Sequence, residues 1–311
     1  MYSGSPPGLA LETAAATWGA WARQWWRSHS QVTPSVALAQ ELAGLGDQCA
    51  TVLQMAAIAP GDIVTVLGTS GGLLTCGAAD AAGAQGRVIT LDYSRTPLAI
   101  AAAATRAVGL AAEPSWHFAV VGGRRLPLTT ASTDKMLVRA RLTERRADAA
   151  TQLLAECRRV LATSGCLVVL EPLWRELHWA VAVGALAMDP TLQDLAHRAT
   201  VSVTGRPVWR PSLAELAHSV TAAGFRLQSV AQGAQIVGAL RTPREVLRRY
   251  HRGSCPWLSL SAAECRRLLA YWMAAAEQGP IRVVLPLGYI RAIATRGAAE
   301  QIPRWQSEQL C

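Results

Sequence analysis

Between residues 63 and 170 the chain alternates short apolar runs with longer segments whose apolar positions recur at helical spacing. Ile63-Val64-Thr65-Val66-Leu67 is the first such run, followed by Val88-Ile89-Thr90-Leu91, residues 116–121, Lys135-Met136-Leu137-Val138 and residues 166–170. The intervening segments 73–82, 97–107 and 147–162 predict helices, the last with Leu153, Leu154, Val160 and Leu161 on its apolar side. Alternation of this kind predicts a parallel, doubly wound α/β sheet, because parallel neighbours need a crossover helix between them.

The flanks follow other rules. Residues 13–28 place Trp18, Trp21 and Trp25 at i, i+3 and i+7, on one helical face. Pro34 breaks the chain, residues 35–57 read as one or two helices, and Ala59-Pro60-Gly61-Asp62 is a turn into the first strand. Downstream, the apolar segment 173–198 reads as helical. Residues 212–223 read as a helix with Ser212 as N-cap and Gly224 as C-cap. Residues 225–240 and 281–295 predict two long strands around a helical insert, 243–278, that opens at Thr242-Pro243. No repeat or low-complexity linker divides the chain. The expected organisation is an N-terminal helical cover over 1–49 and an α/β body over 50–311, with helical inserts at about 173–211 and 243–278.

Composition narrows the class. With 311 residues, 51% hydrophobic and 16% charged, the chain can bury a sizeable core. No apolar run reaches the ~18 residues of a membrane helix, and the Gly/Ser/Pro-rich first eight residues do not read as a secretory signal. Seven scattered cysteines without CxxC spacing predict reduced thiols, a cytoplasmic setting and no metal site. The net charge of +9 rests on arginines, Lys135 being the only lysine, and no basic run exceeds two residues. That pattern describes solvated helix faces and argues against nucleic acid as a partner.

The chemistry concentrates at Gly68-Thr69-Ser70-Gly71-Gly72, between the first strand and its helix, and at Asp92, which ends the second strand. Strand, glycine turn, helix, strand and acid form an arrangement that binds a nucleoside. The glycines let backbone approach the ligand, and the acid accepts hydrogen bonds from ribose hydroxyls. Other candidates stand at strand ends and in the covers. His29 and His178 are candidate bases, against the plainer reading of a surface histidine and a hydrogen-bonded core histidine. Glu171 ends the fifth strand, where functional residues and structural carboxylates both occur. Arg139 and Arg141 follow the fourth strand and suit a carboxylate or enolate, or the carboxylate of a cofactor; solvated arginines are the alternative. Tyr250-His251 is a candidate lid or a plain amphipathic helix. Trp18, Trp21, Trp25 and Trp26, with Trp174 and Trp179, line either an apolar substrate cavity or a core stripe.

Three segments resemble class I S-adenosylmethionine-dependent methyltransferases, above all the ubiquinone/menaquinone-methyltransferase-like group and its relatives in bacterial specialised metabolism. They are Val64 to Gly72, Val88-Ile89-Thr90-Leu91-Asp92-Tyr93-Ser94, and Leu154 to Pro172, a helix, a small turn and a strand ending in Glu-Pro. Arg125-Leu126-Pro127-Leu128 and Thr133-Asp134-Lys135-Met136 match further landmarks of the family. The resemblance implies a Rossmann-like, mostly parallel sheet of seven strands, the last antiparallel, with helical cap insertions. It implies S-adenosylmethionine as cofactor, held by Gly68, Thr69, Ser70, Gly71 and Gly72 at its methionine end, by Asp92 at the ribose, and by Tyr93, Gly122 and Gly123 around the adenine, with Arg139 close by. Trp18, Trp21, Trp25, Arg141, Trp174 and Tyr250 would face a bulky hydrophobic substrate; a homodimer is left open. Two departures stand out. Val66 occupies a place where the family has an acid, and Gly122-Gly123-Arg124-Arg125 lacks the usual Asp. Each missing charge-assisted hydrogen bond costs about 1.5–3 kcal/mol of cofactor affinity. Three activities stay open: methyl transfer, cyclisation or pericyclic rearrangement on the same fold, and a catalytically silent partner of an active homologue.

Overall fold

The computed structural model describes residues 21, 36–108, 115–122, 125–143, 146–180, 191–192, 194–195, 198, 209–240, 242, 244–245 and 260–295. Strand β1 (Ile63–Leu67) sits at the centre of the sheet. It pairs in parallel with β2 (Arg87–Asp92) on one side and β4 (Thr133–Arg139) on the other. β3 (Ser115–Val120) lies parallel to β2, and β5 (Leu161–Pro172) parallel to β4. The remaining strands, β6 (His178–Ala180), β7 (Phe225–Leu240) and β8 (Ile281–Ala294), build the far side. β8 is antiparallel to β5, and β7 is antiparallel to β8.

The eight strands fill seven lanes. β5 pairs along β8 from Ile293 to Leu287, and β6 continues the same lane from Val284 to Arg282. The architecture is thus the α/β, mostly parallel sheet of seven lanes that the sequence predicts, its last strand antiparallel. One local expectation fails: residues 173–180 are not helical. A 3₁₀ turn at Trp174–Glu176 leads into β6, and Leu173 N donates to Pro286 O at 2.8 Å. The first half of β8 runs beyond the end of β5 and offers unpaired backbone groups. Pairing with that edge outweighs the helical preference of an apolar segment, since buried backbone polar groups must find partners.

Helices cover both faces. α1 (Val36–Ala56), α2 (Leu73–Ala82) and α3 (Arg95–Val108) lie on one side, where Val64, Val66, Leu137 and Val168 meet Val52, Ala56, Leu74 and Ala104. α4 (Ala147–Val160) and α5 (Leu213–Ala222) cover the other, with Leu154, Val160, Leu216 and Val220 against Met136, Val138, Leu167, Val169 and Ile290. Alternate residues of β4 and β5 thereby enter different cores, as the period of a strand requires. A third cluster forms where α6 (Ala262–Gln278) packs Leu268 and Trp272 on Ile281, Val283 and Leu285 of β8, joined by Leu177, Leu192 and Leu195. Of the predicted insert 243–278, α6 and residues 244–245 are helical, residues 260–261 lead into α6 without helix, and 243 and 246–259 lie outside the described residues.

Both late helices begin with capping boxes. Ser212 pairs reciprocally with Glu215, as Ser212 in the sequence leads one to expect, and Ser261 with Glu264. Glu264 also accepts from Arg198 at 2.6 Å, and Arg198 and Ser261 hold its carboxyl down to about 2. Glu215, capped by Ser212, and Glu156, bonded to Arg159, are lowered as well. A carboxylate whose folded pKa is depressed stabilises the fold above its unfolded value and loses that contribution as pH falls through the folded one. The melting temperature is therefore expected to be level near neutrality and to fall steadily from about pH 4.5 towards pH 2. Ser261→Ala removes about 1 kcal/mol of helix stability at neutral pH and flattens that acid limb. Thermal melts followed by circular dichroism check both, and an acid limb unchanged in Ser261→Ala would contradict the assignment.

Five described cysteines are free and buried, and burial pushes the Cys49, Cys76 and Cys157 thiols up to about 12. They behave as small apolar core residues.

Candidate functional site

The carboxyl ends of β1, β2 and β4 converge on the glycine turn. Gly68 follows β1 with φ +96°, and its N–H donates to Leu91 O at 3.0 Å. A Cβ here would run into the carbonyl oxygen of Arg139. Gly72 has φ +90°, and a Cβ there would stand 2.9 Å from Ala101 Cα, so α3 approaches the turn closely only because the residue is glycine. Gly72 N closes the turn on Thr69 O at 2.7 Å. Trp21, 1% exposed, lies against it, its Nε1 donating to Gly71 O at 2.9 Å.

Asp92 ends β2 beside this turn and is 1% exposed. Oδ2 accepts from Thr69 N at 3.1 Å, from Thr69 Oγ1 at 3.2 Å and from Arg141 Nη2 at 2.8 Å, while Oδ1 accepts from Ser94 N at 3.2 Å. The Arg141 guanidinium, on a side chain 18% exposed, also lies 6.0 Å from the centre of the half-buried Tyr93 ring. Gly122 is exposed just after β3, where Val121 N donates to Asp92 O at 2.8 Å.

The end of β4 is held from β5. Glu171, 0% exposed, accepts from Arg141 N at 2.7 Å, Leu142 N at 2.9 Å, Thr143 N at 3.2 Å and Thr143 Oγ1 at 2.7 Å. Burial pushes its carboxyl up, and these four donors pull it down. The carboxylate thus shapes the β4 loop, including the residue that reaches Asp92. Arg139 points the other way, towards α1, where Nη2 donates to Gln48 Oε1 at 3.3 Å. Burial pulls its guanidinium below the usual arginine range, partly offset by the charge of Glu171.

The sequence groups the tryptophans together, and the fold separates the two whose packing is described. Trp21 joins the core of α1 and α2, whereas Trp174 packs against the third cluster beneath α6. His178 is exposed on β6, its Nδ1 3.0 Å from Glu176 O. His29, Trp18, Trp25, Trp26, Gly123, Tyr250 and His251 lie outside the described residues. Gln48 and Thr143 hold the site together without being conspicuous in the sequence, whereas Thr69, expected at the cofactor, spends its N–H and hydroxyl on Asp92. The Leu126–Leu128 landmark gains a physical reason too. Arg159 donates to Leu126 O and Leu128 O at 3.1 and 2.8 Å, and Glu156 accepts from Leu126 N at 2.9 Å.

Val66, in the place of an expected acid, is 0% exposed in the core of Val64, Leu74 and Leu137. An aspartate here buries a charge among apolar side chains, and Val66→Asp is expected to cost about 3 kcal/mol of stability without improving ligand affinity. Denaturant unfolding and calorimetry read the two effects. Unchanged stability with tighter binding would show that the carboxylate reaches the cleft instead.

Among the described residues no group of His, Cys, Asp and Glu could hold a metal ion, and no helix is long and apolar enough to cross a membrane. The family model described as a methyltransferase domain matches residues 66–169. No curated protein matches the chain in sequence at a significant level. Among solved structures, a Bacillus halodurans protein described as a methyltransferase superposes with TM-score 0.54 at 12% identity, covering 80% of this chain and all of that one. The YcgJ protein of Bacillus subtilis gives 0.52 at 15% identity, over 81% and 99% of the two chains. A Haloferax volcanii methyltransferase, solved with its Trm112 activator, gives 0.50 at 16%, over 88% and 97%. These likenesses show the fold. The family-model match, over about a third of the chain, supports the class I S-adenosylmethionine-dependent methyltransferase superfamily. S-Adenosylmethionine, the cofactor that the resemblance implies, would meet the backbone of the turn, where β4 and α3 leave no room for a side chain, and Asp92, whose Oδ2 Arg141 occupies in this structure.

Proposed function

We propose that this methyltransferase-fold chain transfers a methyl group from S-adenosylmethionine to a bulky hydrophobic small molecule, in bacterial specialised metabolism and in a cytoplasmic setting. One observation carries the reading. A glycine turn that β4 and α3 approach too closely for any side chain at 68 or 72 lies directly beside an aspartate at the end of β2, at the switch point where doubly wound sheets bind nucleosides. The backbone of 68–72 takes the methionine moiety, Asp92 the ribose, and Tyr93 with Gly122 and Gly123 the adenine. The bound cofactor supplies the activated methyl group, and the chain supplies position and exclusion of water, which direct transfer mostly requires. Trp174 and the apolar cluster under α6 stand beside the sheet's carboxyl ends as one wall for the acceptor, with Trp18, Trp25 and Tyr250 as further candidates, whereas Trp21 is taken up by the core and the glycine turn. His29 and His178 serve as base only if the acceptor loses a proton. Glu171 is a positioning residue, its carboxylate committed to the β4 loop.

Calorimetric titration with S-adenosylhomocysteine tests the reading. Binding to the native chain and its loss in Asp92→Ala are expected, and equal affinity in that variant removes the assignment. One observation favours a second reading. The Arg141–Asp92 ion pair closes the ribose acid, as expected of a methyltransferase-fold enzyme that has left methyl transfer for cyclisation or rearrangement, or of a silent partner of an active homologue. Absence of binding even with Arg141 replaced would select it.

A further inference from the structure

Arg141 crosses the whole candidate cofactor site. Its Nε and Cγ lie 3.1 and 3.2 Å from where a Cβ on Gly68 would stand, its Nη2 is 2.8 Å from Asp92 Oδ2, and its Cζ is 6.0 Å from the Tyr93 ring centre. In the reading proposed above, on which this inference rests, those three places take the methionine moiety, the ribose and the adenine. A ligand cannot reach Asp92 while the guanidinium holds it. Nor can the guanidinium leave without cost, because Asp92 is 1% exposed and a charged hydrogen bond would be broken.

We infer that Arg141 is a latch selective for carboxylate ligands: it satisfies Asp92 at rest and yields the acid to a ribose when the ligand brings a carboxylate of its own. The exchange swaps one carboxylate for another. The guanidinium keeps a carboxylate acceptor, and Asp92 Oδ2 gains a ribose hydroxyl donor in its place. The stem of Arg141 already lies beside Gly68, so a small rotation carries its head from the acid towards the amino-acid end of the ligand. S-Adenosylmethionine and S-adenosylhomocysteine carry the needed carboxylate. An adenosine thioether without the amino-acid group does not, and must break the ion pair uncompensated. Arg141 therefore sets ligand specificity as well as affinity.

The test titrates S-adenosylhomocysteine and 5′-methylthioadenosine into the native chain, Arg141→Gln and Arg141→Lys, with thermal melts confirming that each is folded. The native chain is expected to prefer S-adenosylhomocysteine by about tenfold or more, the worth of one charge-assisted hydrogen bond. In Arg141→Gln the affinity for 5′-methylthioadenosine rises about tenfold and the preference collapses. Arg141→Lys keeps a charge but loses the fork, so its preference falls between the two; it carries the test if the glutamine variant does not fold. A purely structural ion pair would leave the ratio of the two affinities unmoved. Unchanged 5′-methylthioadenosine affinity in the folded variants, with S-adenosylhomocysteine still bound, overturns the latch and leaves the proposed cofactor site standing. No binding of either ligand by the native chain and the folded variants overturns both.

Discussion

Glu171→Ala is expected to lower stability by about 4 kcal/mol, because it leaves buried donors without an acceptor and opens a cavity. The carboxylate is 0% exposed and accepts from three successive backbone N–H groups, those of Arg141, Leu142 and Thr143, and from the Thr143 hydroxyl. The loop is wrapped around this one group, so its removal strands all four donors together. Glu171→Gln keeps the volume but turns an amide NH₂ towards donors, so it too is expected to destabilise, by less than the alanine. Denaturant unfolding measures both. If Glu171→Ala unfolds at the native midpoint, the carboxylate does not organise the loop, and its place at the strand end needs another account.

Gly68→Ala is expected to be nearly as damaging. At φ +96° an L-residue is strained by about 1–2 kcal/mol, and the added methyl group must also push the Arg139 carbonyl off the turn. Together these amount to about 3 kcal/mol or more, and S-adenosylhomocysteine binding is expected to be lost with the turn. Gly61→Ala is the control. Its φ of +91° carries the same backbone strain, but nothing lies within 4 Å of the added carbon. It should cost only about 1–2 kcal/mol. Equal losses in the two variants would mean that backbone strain alone, and not the close approach of β4, makes glycine necessary at 68.

Strands β1, β2, β4 and β5 were legible because strands inside a covered sheet leave nearly continuous apolar runs, and β3, at the sheet edge, because it continues the alternation with crossover helices of a different period. Helix α5 was legible to the residue at its start, where Ser212 is the N-cap, and to within one residue at its end, where the C-cap is Ala223 and Gly224 follows it. Residues 173–180 were not. An apolar stretch fits helix or strand equally, and the deciding factor was a backbone edge of β8 more than a hundred residues away in sequence, at Arg282 to Val284. The candidate site divides in the same way. Asp92, the glycine turn, Glu171, Arg139 and Arg141 were picked out by their places at strand ends.

By itself the sequence determined the alternation of strand and helix, the glycine turn with its acid, and the absence of a carboxylate at Val66. These are properties of side chains and short-range spacing, so they are written in local order. Only the tertiary structure decided what those residues do to one another. Arg141 meets Asp92 across 49 positions, Trp21 meets Gly71 across 50, and Glu171 reaches back 28 to 30 positions to the β4 loop. Trp21 and Trp174, alike in the sequence, enter separate cores. Residue type fixes which charge or ring is available. Which partner it meets depends on where parallel strands bring their carboxyl ends together, and that is set by the packing of the whole sheet.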